Sequence, residues 1–167
     1  SRIANKFRAS IVFVGPILAR FGKVVFPHPG GCVIGAGTRP IDFFIEGFRA
    51  MGAKVHTTNN AYHLKATKLT GCEYFFPKPS VAGTESLMMT AVLAQGTTTL
   101  KNCAMEPEIK ALAEYLNSRG AKINGAGTST IVIDGVKEIS ADCFDIIPDR
   151  IETGTFAIMA AATNSNI

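Results

Sequence analysis

Cys32 is the residue whose neighbours best equip it for chemistry. It lies within Pro27-His-Pro-Gly-Gly-Cys-Val-Ile-Gly-Ala-Gly-Thr-Arg-Pro40, a stretch too rich in glycine and proline to sustain a helix or a strand ladder. Such a stretch reads as an exposed loop, and loops on a rigid scaffold are where binding and catalysis concentrate. A solvent-accessible thiol followed by Arg39 can have a lowered pKa and act as acid or nucleophile. The alternative is a cysteine that merely tucks under the loop, and the stretch alone leaves both open. The default for Cys72, Cys103 and Cys143 is a buried small hydrophobe. The four cysteines form no CxxC or Cys/His cluster, and His28, His56 and His63 lack a paired acid or metal-like spacing. No metal site and no cofactor are expected.

The elements that position this loop recur along the chain. Phe44 to Val55 and Ala111 to Ile123 each read as an amphipathic helix ending in Gly-Ala-Lys and a β-branched residue, with the glycine where a left-handed C-cap is needed. Gly52 and Gly120 stand 68 positions apart. A helix running into a strand also recurs: Ser10 to Phe21, Gly22, then Val24-Val25-Phe26; and Thr84 to Gln95, Gly96, then Thr97 to Leu100. Thr155 to Ala162 opens the pattern a third time. After each Gly-Ala-Lys come short strands, Val55 to Thr57 and Tyr62 to Ala66 in one copy, Ile123 and Thr130 to Asp134 in the other. Glu106-Pro107-Glu108 marks a helix start, with proline near the first position and acids in the first turn. The period near 70 residues predicts an α/β (or α+β) fold of repeated units packing helices on sheets. Because the chain opens inside one unit and closes inside another, it reads as part of a longer polypeptide.

Composition bounds the function. The 167 residues are 47% hydrophobic and 18% charged, a globular balance. No apolar run approaches the ~20 residues that span a bilayer, and no signal segment is evident, so the expectation is a cytoplasmic protein without a membrane partner. The net charge of +4 favours anionic partners. The basic residues are dispersed and not interleaved with aromatics, which speaks against nucleic acid; small phosphorylated substrates suit the charge equally well.

In order along the chain, Arg8-Ala-Ser-Ile11, Gly15-Pro16, Ala19-Arg20-Phe21-Gly22, Pro29-Gly-Gly-Cys-Val-Ile-Gly-Ala36 and Arg39-Pro40-Ile41-Asp42 resemble the UDP-N-acetylglucosamine enolpyruvyl transferases of peptidoglycan synthesis. Lys78-Pro-Ser-Val81, Gly83-Thr-Glu85, Met88-Met89, Gly96-Thr-Thr98, Glu106-Pro-Glu-Ile109, Gly120-Ala-Lys-Ile123 and Pro148-Asp-Arg-Ile-Glu-Thr-Gly-Thr155 are similar to the same family's later motifs. The resemblance implies transfer of the enolpyruvyl group of phosphoenolpyruvate to the 3-hydroxyl of UDP-N-acetylglucosamine, with release of phosphate. It implies βαβαββ-like units of an inside-out α/β barrel, one complete unit flanked by partial ones. Residues 1–147 would belong to the domain carrying the catalytic loop, and 148–167 to the crossing into a second domain.

By the same resemblance Cys32 is the proton donor to the methylene carbon and the target of fosfomycin. Arg39 contacts phosphate, as a guanidinium fork suits. Arg8 binds the sugar nucleotide; Pro40, Ile41, Asp42 and Phe43 form one nucleotide-contacting stretch, and Lys78, Pro79, Ser80 and Val81 a second around the uridine diphosphate. Asp149 and Arg150 fall at the domain crossing, where an anchoring role is expected. Gly37-Thr38 adds two residues between Ala36 and Arg39 relative to the family pattern, Phe44 stands where many members have histidine, and Ala82 departs in the second motif. The family's lysine-asparagine pair, its later aspartate and its later arginines have no counterpart, so these residues form one wall of a site whose partner is the remainder of the enzyme. The rivals are transfer to shikimate 3-phosphate, whose family lacks the cysteine loop; a non-catalytic paralogue or isolated nucleotide-binding fragment; and a nucleic-acid-binding repeat, which rests on charge alone.

Overall fold

The computed structural model describes residues 7–28, 41–59 and 61–166. A 3₁₀ helix, Arg8–Phe13, leads into α1, Val14–Phe21, and β1, Lys23–Pro27. Then come α2 (Asp42–Ala50), β2 (Lys54–Thr57), β3 (Ala61–Lys65) and β4 (Glu73–Phe75). The chain continues with α3 (Val81–Ala91), β5 (Thr97–Lys101), α4 (Pro107–Ser118), β6 (Lys122–Asn124), β7 (Thr130–Asp134) and α5 (Arg150–Thr163).

The expected repeat is present in the topology. One sheet has the order β1-β3-β2, all antiparallel; the other has β4-β5-β7-β6, in which β5-β7-β6 reproduces that order and β4 adds a parallel strand beside β5. The glycine caps repeat as well. Gly52 (φ 90°) donates to Arg49 O and Ala53 to Phe48 O; Gly120 (φ 103°) donates to Asn117 O and Ala121 to Leu116 O. Each pair is a Schellman closure, which needs a left-handed residue and so selects glycine. The strand ends match too, since Ala66 N–H donates to Gly22 O at 2.8 Å and Gly135 N–H to Gly96 O at 2.9 Å.

Helices and sheets enclose one apolar core that includes Phe44, Phe48, Met51, Leu64, Leu87, Met88, Leu100, Ile109 and Ile131. At its centre α3 packs against α1 and α2. The helices approach closely at two glycines: a Cβ on Gly15 would meet Thr90 Oγ1 and the Ser86 carbonyl, and one on Gly47 would meet the Leu87 side chain.

Three expectations need correction. Ser10 to Phe21 is not one α-helix. It begins as 3₁₀ and turns α at Val14, which leaves Pro16 in the first α turn, where its missing N–H costs nothing. The helix expected at Thr84 starts three residues earlier because the Ser80 hydroxyl caps it, accepting from Gly83 N–H at 3.2 Å. Cys143 is exposed rather than buried, because it lies in the exposed later part of the segment between β7 and α5. Among the described residues the strands form two open sheets and not a closed barrel.

Candidate functional site

Two of the stretches singled out in the sequence lie side by side. The first is the N-terminus of α2. Ile41 occupies its N-cap with the side chain buried in the core, Asp42 is exposed in the first turn, and Phe43 is half-buried. An acid in the first turn complements the helix dipole. The second is the N-terminus of α3, where Lys78 and Pro79 are exposed, Ser80 is the cap and Val81 opens the helix half-buried.

Phe43 joins them. Its ring lies where a Cβ on Gly83 would sit 2.7 Å away, and it stands edge-on to Phe76 at 6.5 Å between centroids. The Tyr74 hydroxyl donates to the Phe43 carbonyl at 2.8 Å, and the Tyr74 ring packs edge-on against Phe76 at 5.1 Å. Burial, then the charges of Glu46 and Cys72, push the Tyr74 hydroxyl up to about 12, so it remains a donor at every physiological pH. Asn102 adds a brace by donating its amide to Phe76 O at 2.8 Å, and Thr84 accepts from Ala104 N–H at 3.1 Å. Tyr74, Phe76 and Asn102 were not singled out in the sequence, and Gly83 was named only as part of a motif. Their roles depend on partners 26 or more residues away, or on an absent side chain, and no local spacing signals either.

Arg8 is half-buried at the start of the 3₁₀ helix, which packs on α3. Cys32, Arg39 and Pro40 lie outside the described residues, in the segment that connects β1 to α2. Phe44 is 2% exposed and belongs to the core. Among the described residues no group of His, Cys, Asp and Glu is arranged to hold a metal ion.

The start of α5 is tied to the body. The Asp149 carboxylate accepts from the N–H groups of Ile151 at 2.8 Å and Glu152 at 3.2 Å, capping the helix. The Arg150 guanidinium donates twice to Glu108, at 2.9 and 3.1 Å. The same bonds hold the Glu108 carboxyl below the usual carboxylate range. Glu85, on α3, is shifted the other way by burial and then by the Glu108 charge. Glu108, Asp149 and Arg150 border an open cleft of about 350 Å³ lined by Pro107, Glu108 and residues 146–151.

Two repeated α/β units, with the starts of α2 and α3 brought together at one face, define the class. The chain belongs to the EPSP synthase (3-phosphoshikimate 1-carboxyvinyltransferase) family, whose model matches residues 1–167. Within it the chain is homologous to the UDP-N-acetylglucosamine 1-carboxyvinyltransferases. It is 50% identical over 165 residues to the protein of that name from Desulforapulum autotrophicum. It is 51% identical over 165 residues to UDP-N-acetylglucosamine 1-carboxyvinyltransferase 1 of Carboxydothermus hydrogenoformans, and 49% over 167 residues to the Sinorhizobium fredii protein. Each alignment covers 99% of this chain but only 38% or 39% of the relative, so the chain spans about two-fifths of the length of the curated relatives it matches.

Solved structures share the fold. The enolpyruvyl transferase NikO from Streptomyces tendae superposes with a TM-score of 0.59 at 20% identity, over 75% of this chain and 29% of that one. EPSP synthase from Acinetobacter baumannii gives 0.59 at 19% identity, over 78% of this chain and 29% of that one.

Proposed function

We propose that this chain is part of an enzyme that transfers the enolpyruvyl group of phosphoenolpyruvate to the 3-hydroxyl of UDP-N-acetylglucosamine, the first committed step of peptidoglycan synthesis. The observation that carries this reading is near-half identity, across 99% of the chain, to relatives named for that activity. In the reaction the Cys32 thiol protonates the methylene carbon of phosphoenolpyruvate, the sugar hydroxyl gives up its proton as it attacks the oxocarbenium-like carbon so formed, and phosphate then leaves together with a proton from the new methyl group, which restores the enol double bond. Arg39 holds phosphate oxygens. The start of α3, with the positive end of its dipole and the exposed Lys78, suits the diphosphate of the sugar nucleotide. Ile41 and Ser80 would contribute backbone, since the Ile41 side chain is core and the Ser80 hydroxyl caps α3. Arg8, Pro40, Asp42, Phe43, Pro79 and Val81 complete this wall, and the enzyme would act in the cytoplasm.

In this reading the remainder of the enzyme supplies the opposite wall and a third unit that closes an inside-out barrel. The apolar stripe Phe13, Ile17 and Phe21, exposed at one-turn spacing from the end of the 3₁₀ helix along α1, supports such a covering. The exposed Ile151, Phe156 and Ile158 of α5 support a further domain beginning near residue 148.

The test is calorimetric titration of the chain with UDP-N-acetylglucosamine and, separately, with shikimate 3-phosphate. Saturable binding of the first, weakened by Lys78→Ala, is expected. Preferential binding of the second would assign the chain to the other transferase activity, and binding of neither would leave it without the nucleotide wall proposed here.

A further inference from the structure

The two repeats carry different charge patterns on equivalent sheet faces. In the β1-β3-β2 sheet, Lys23, Lys65 and Lys54 lie in register across all three strands, and all three are exposed. In the β5-β7-β6 sheet the equivalent row is Thr97, Asp134 and Lys122. That row is neutralised internally: Asp134 stands opposite Lys122 and accepts from the Thr97 hydroxyl at 2.6 Å. The equivalence rests on the two strand-end hydrogen bonds, Ala66 to Gly22 and Gly135 to Gly96, that flank the rows.

Like charges placed directly opposite one another destabilise a sheet. Lysines on edge strands commonly guard against edge-to-edge association, but Lys65 lies on the central strand, where no edge needs guarding. Among the described residues none of the three forms an ion pair. The strands β1, β2 and β3 contain no acidic residue, and the only acids between Arg20 and Lys68, Asp42 and Glu46, are both on α2. The next row outward is Val25, His63 and His56, with Val25 62% exposed and the two imidazoles 6.3 Å apart.

We propose that this sheet face docks an acidic, extended segment of a partner protein. The face is an open pleated surface, which disfavours a small ligand held by enclosure. Its aromatic rings, Phe26 and Tyr62, stack on the inner side at 5.0 Å, leaving no platform for nucleobases. A membrane surface is read by clusters of about four to eight basic residues, and the row supplies three. Strands about 4.8 Å apart place the three lysines across roughly 10 Å, within reach of carboxylates on alternate residues of an extended chain, about 6.8 Å apart. The exposed Val25 beside them offers an apolar contact that a polypeptide can meet and a phosphate chain cannot. This inference is independent of the transferase reading.

The experiment measures anisotropy of a fluorescein-labelled peptide of alternating glutamate and serine, titrated with the chain at low salt. Two variants of equal net charge are compared: Lys23→Gln/Lys54→Gln/Lys65→Gln and Lys110→Gln/Lys122→Gln/Lys137→Gln. Saturable binding that weakens about tenfold in the first variant and less than about twofold in the second is expected. Urea unfolding checks the fold, and the first variant should be no less stable, because like-charge repulsion has been removed. Equal weakening in both variants, or no saturable binding, overturns the proposal. Tighter binding of phosphatidylserine-containing vesicles or of oligothymidylate than of the peptide does the same, and would assign the face to a lipid or nucleic-acid surface.

Discussion

The Tyr74 hydroxyl donates to the carbonyl of Phe43, 31 residues earlier, and that bond ties the start of α2 to β4, the strand that leads into α3. Tyr74 is buried in the β4 strand, so its hydroxyl is committed to this one acceptor. Tyr74→Phe keeps the ring packing on Phe76 and removes only the bond. A loss of about 1–2 kcal/mol in urea unfolding is expected, along with weaker nucleotide binding from a start of α2 that is less well held. An unchanged unfolding midpoint would show that the two helix starts are positioned by ring packing alone.

Two helical glycines should respond in opposite directions. Gly15→Ala drives a methyl into Thr90 Oγ1 and to within 2.8 Å of the Ser86 carbonyl, at the tightest approach of α1 to α3. Overpacking of this kind costs about 1–3 kcal/mol. Gly154→Ala, on α5, meets nothing within 4 Å and should stabilise by about 0.5–1 kcal/mol through helix propensity. Thermal unfolding of both variants decides it; equal and opposite signs to these would mean that α5 packs more tightly in solution than α1.

What the sequence disclosed and what it hid follow from the range of the interactions. Gly52 and Gly120 were legible because a Schellman closure is a local demand that only the left-handed region satisfies. With strand alternation at Thr130 to Asp134, they were enough to show the repeat and hence the α/β class. The start of α3 was placed three residues too late because the Ser80 cap shows only in the bond it makes to Gly83 N–H, and Gly83 itself is fitted to the Phe43 ring packed above it. Ser10 to Phe21 was read as one helix, although it begins as 3₁₀ and turns α at Val14. The Tyr74 clamp was invisible because hydroxyl and acceptor are distant in sequence. Of the candidate site, the approach of Ile41–Phe43 to Lys78–Val81 is now described, whereas Cys32, Arg39 and Pro40 rest on the motif.

Glu85 and Glu108 should titrate in opposite directions from an ordinary glutamate. Glu108 is lowered, chiefly by its hydrogen bonds from Arg150, so its contribution to stability is present above the unfolded value of 4.5 and fades as pH falls through the lower folded value. Glu85 is raised, first by burial and then by the Glu108 charge, so its contribution is present below 4.5 and is lost as pH rises through the higher folded value. In Glu108→Gln the acid-side loss of stability should flatten, and Glu85 should move down yet remain above 4.5 because burial persists. Carboxyl NMR titration of both proteins measures this. A Glu85 that does not move would show that its shift owes nothing to Glu108.

The thiols offer the most direct check on where reactivity lies. Burial pushes Cys103 up to about 11 and also raises Cys72, so at neutral pH both are protonated, Cys103 buried and Cys72 half-buried. Cys143 is exposed on the segment before α5 and should react with iodoacetamide in the native chain. Fosfomycin has a stricter requirement, because its epoxide must be held while a thiolate attacks. Modification by fosfomycin should therefore be found on Cys32, should rise when UDP-N-acetylglucosamine is added, and should disappear in Cys32→Ala while iodoacetamide labelling of Cys143 continues. Peptide mass spectrometry resolves the four sites. Fosfomycin on Cys143 with Cys32 untouched would mean that exposure alone governs the reaction, and the role assigned to the glycine-flanked cysteine would fall.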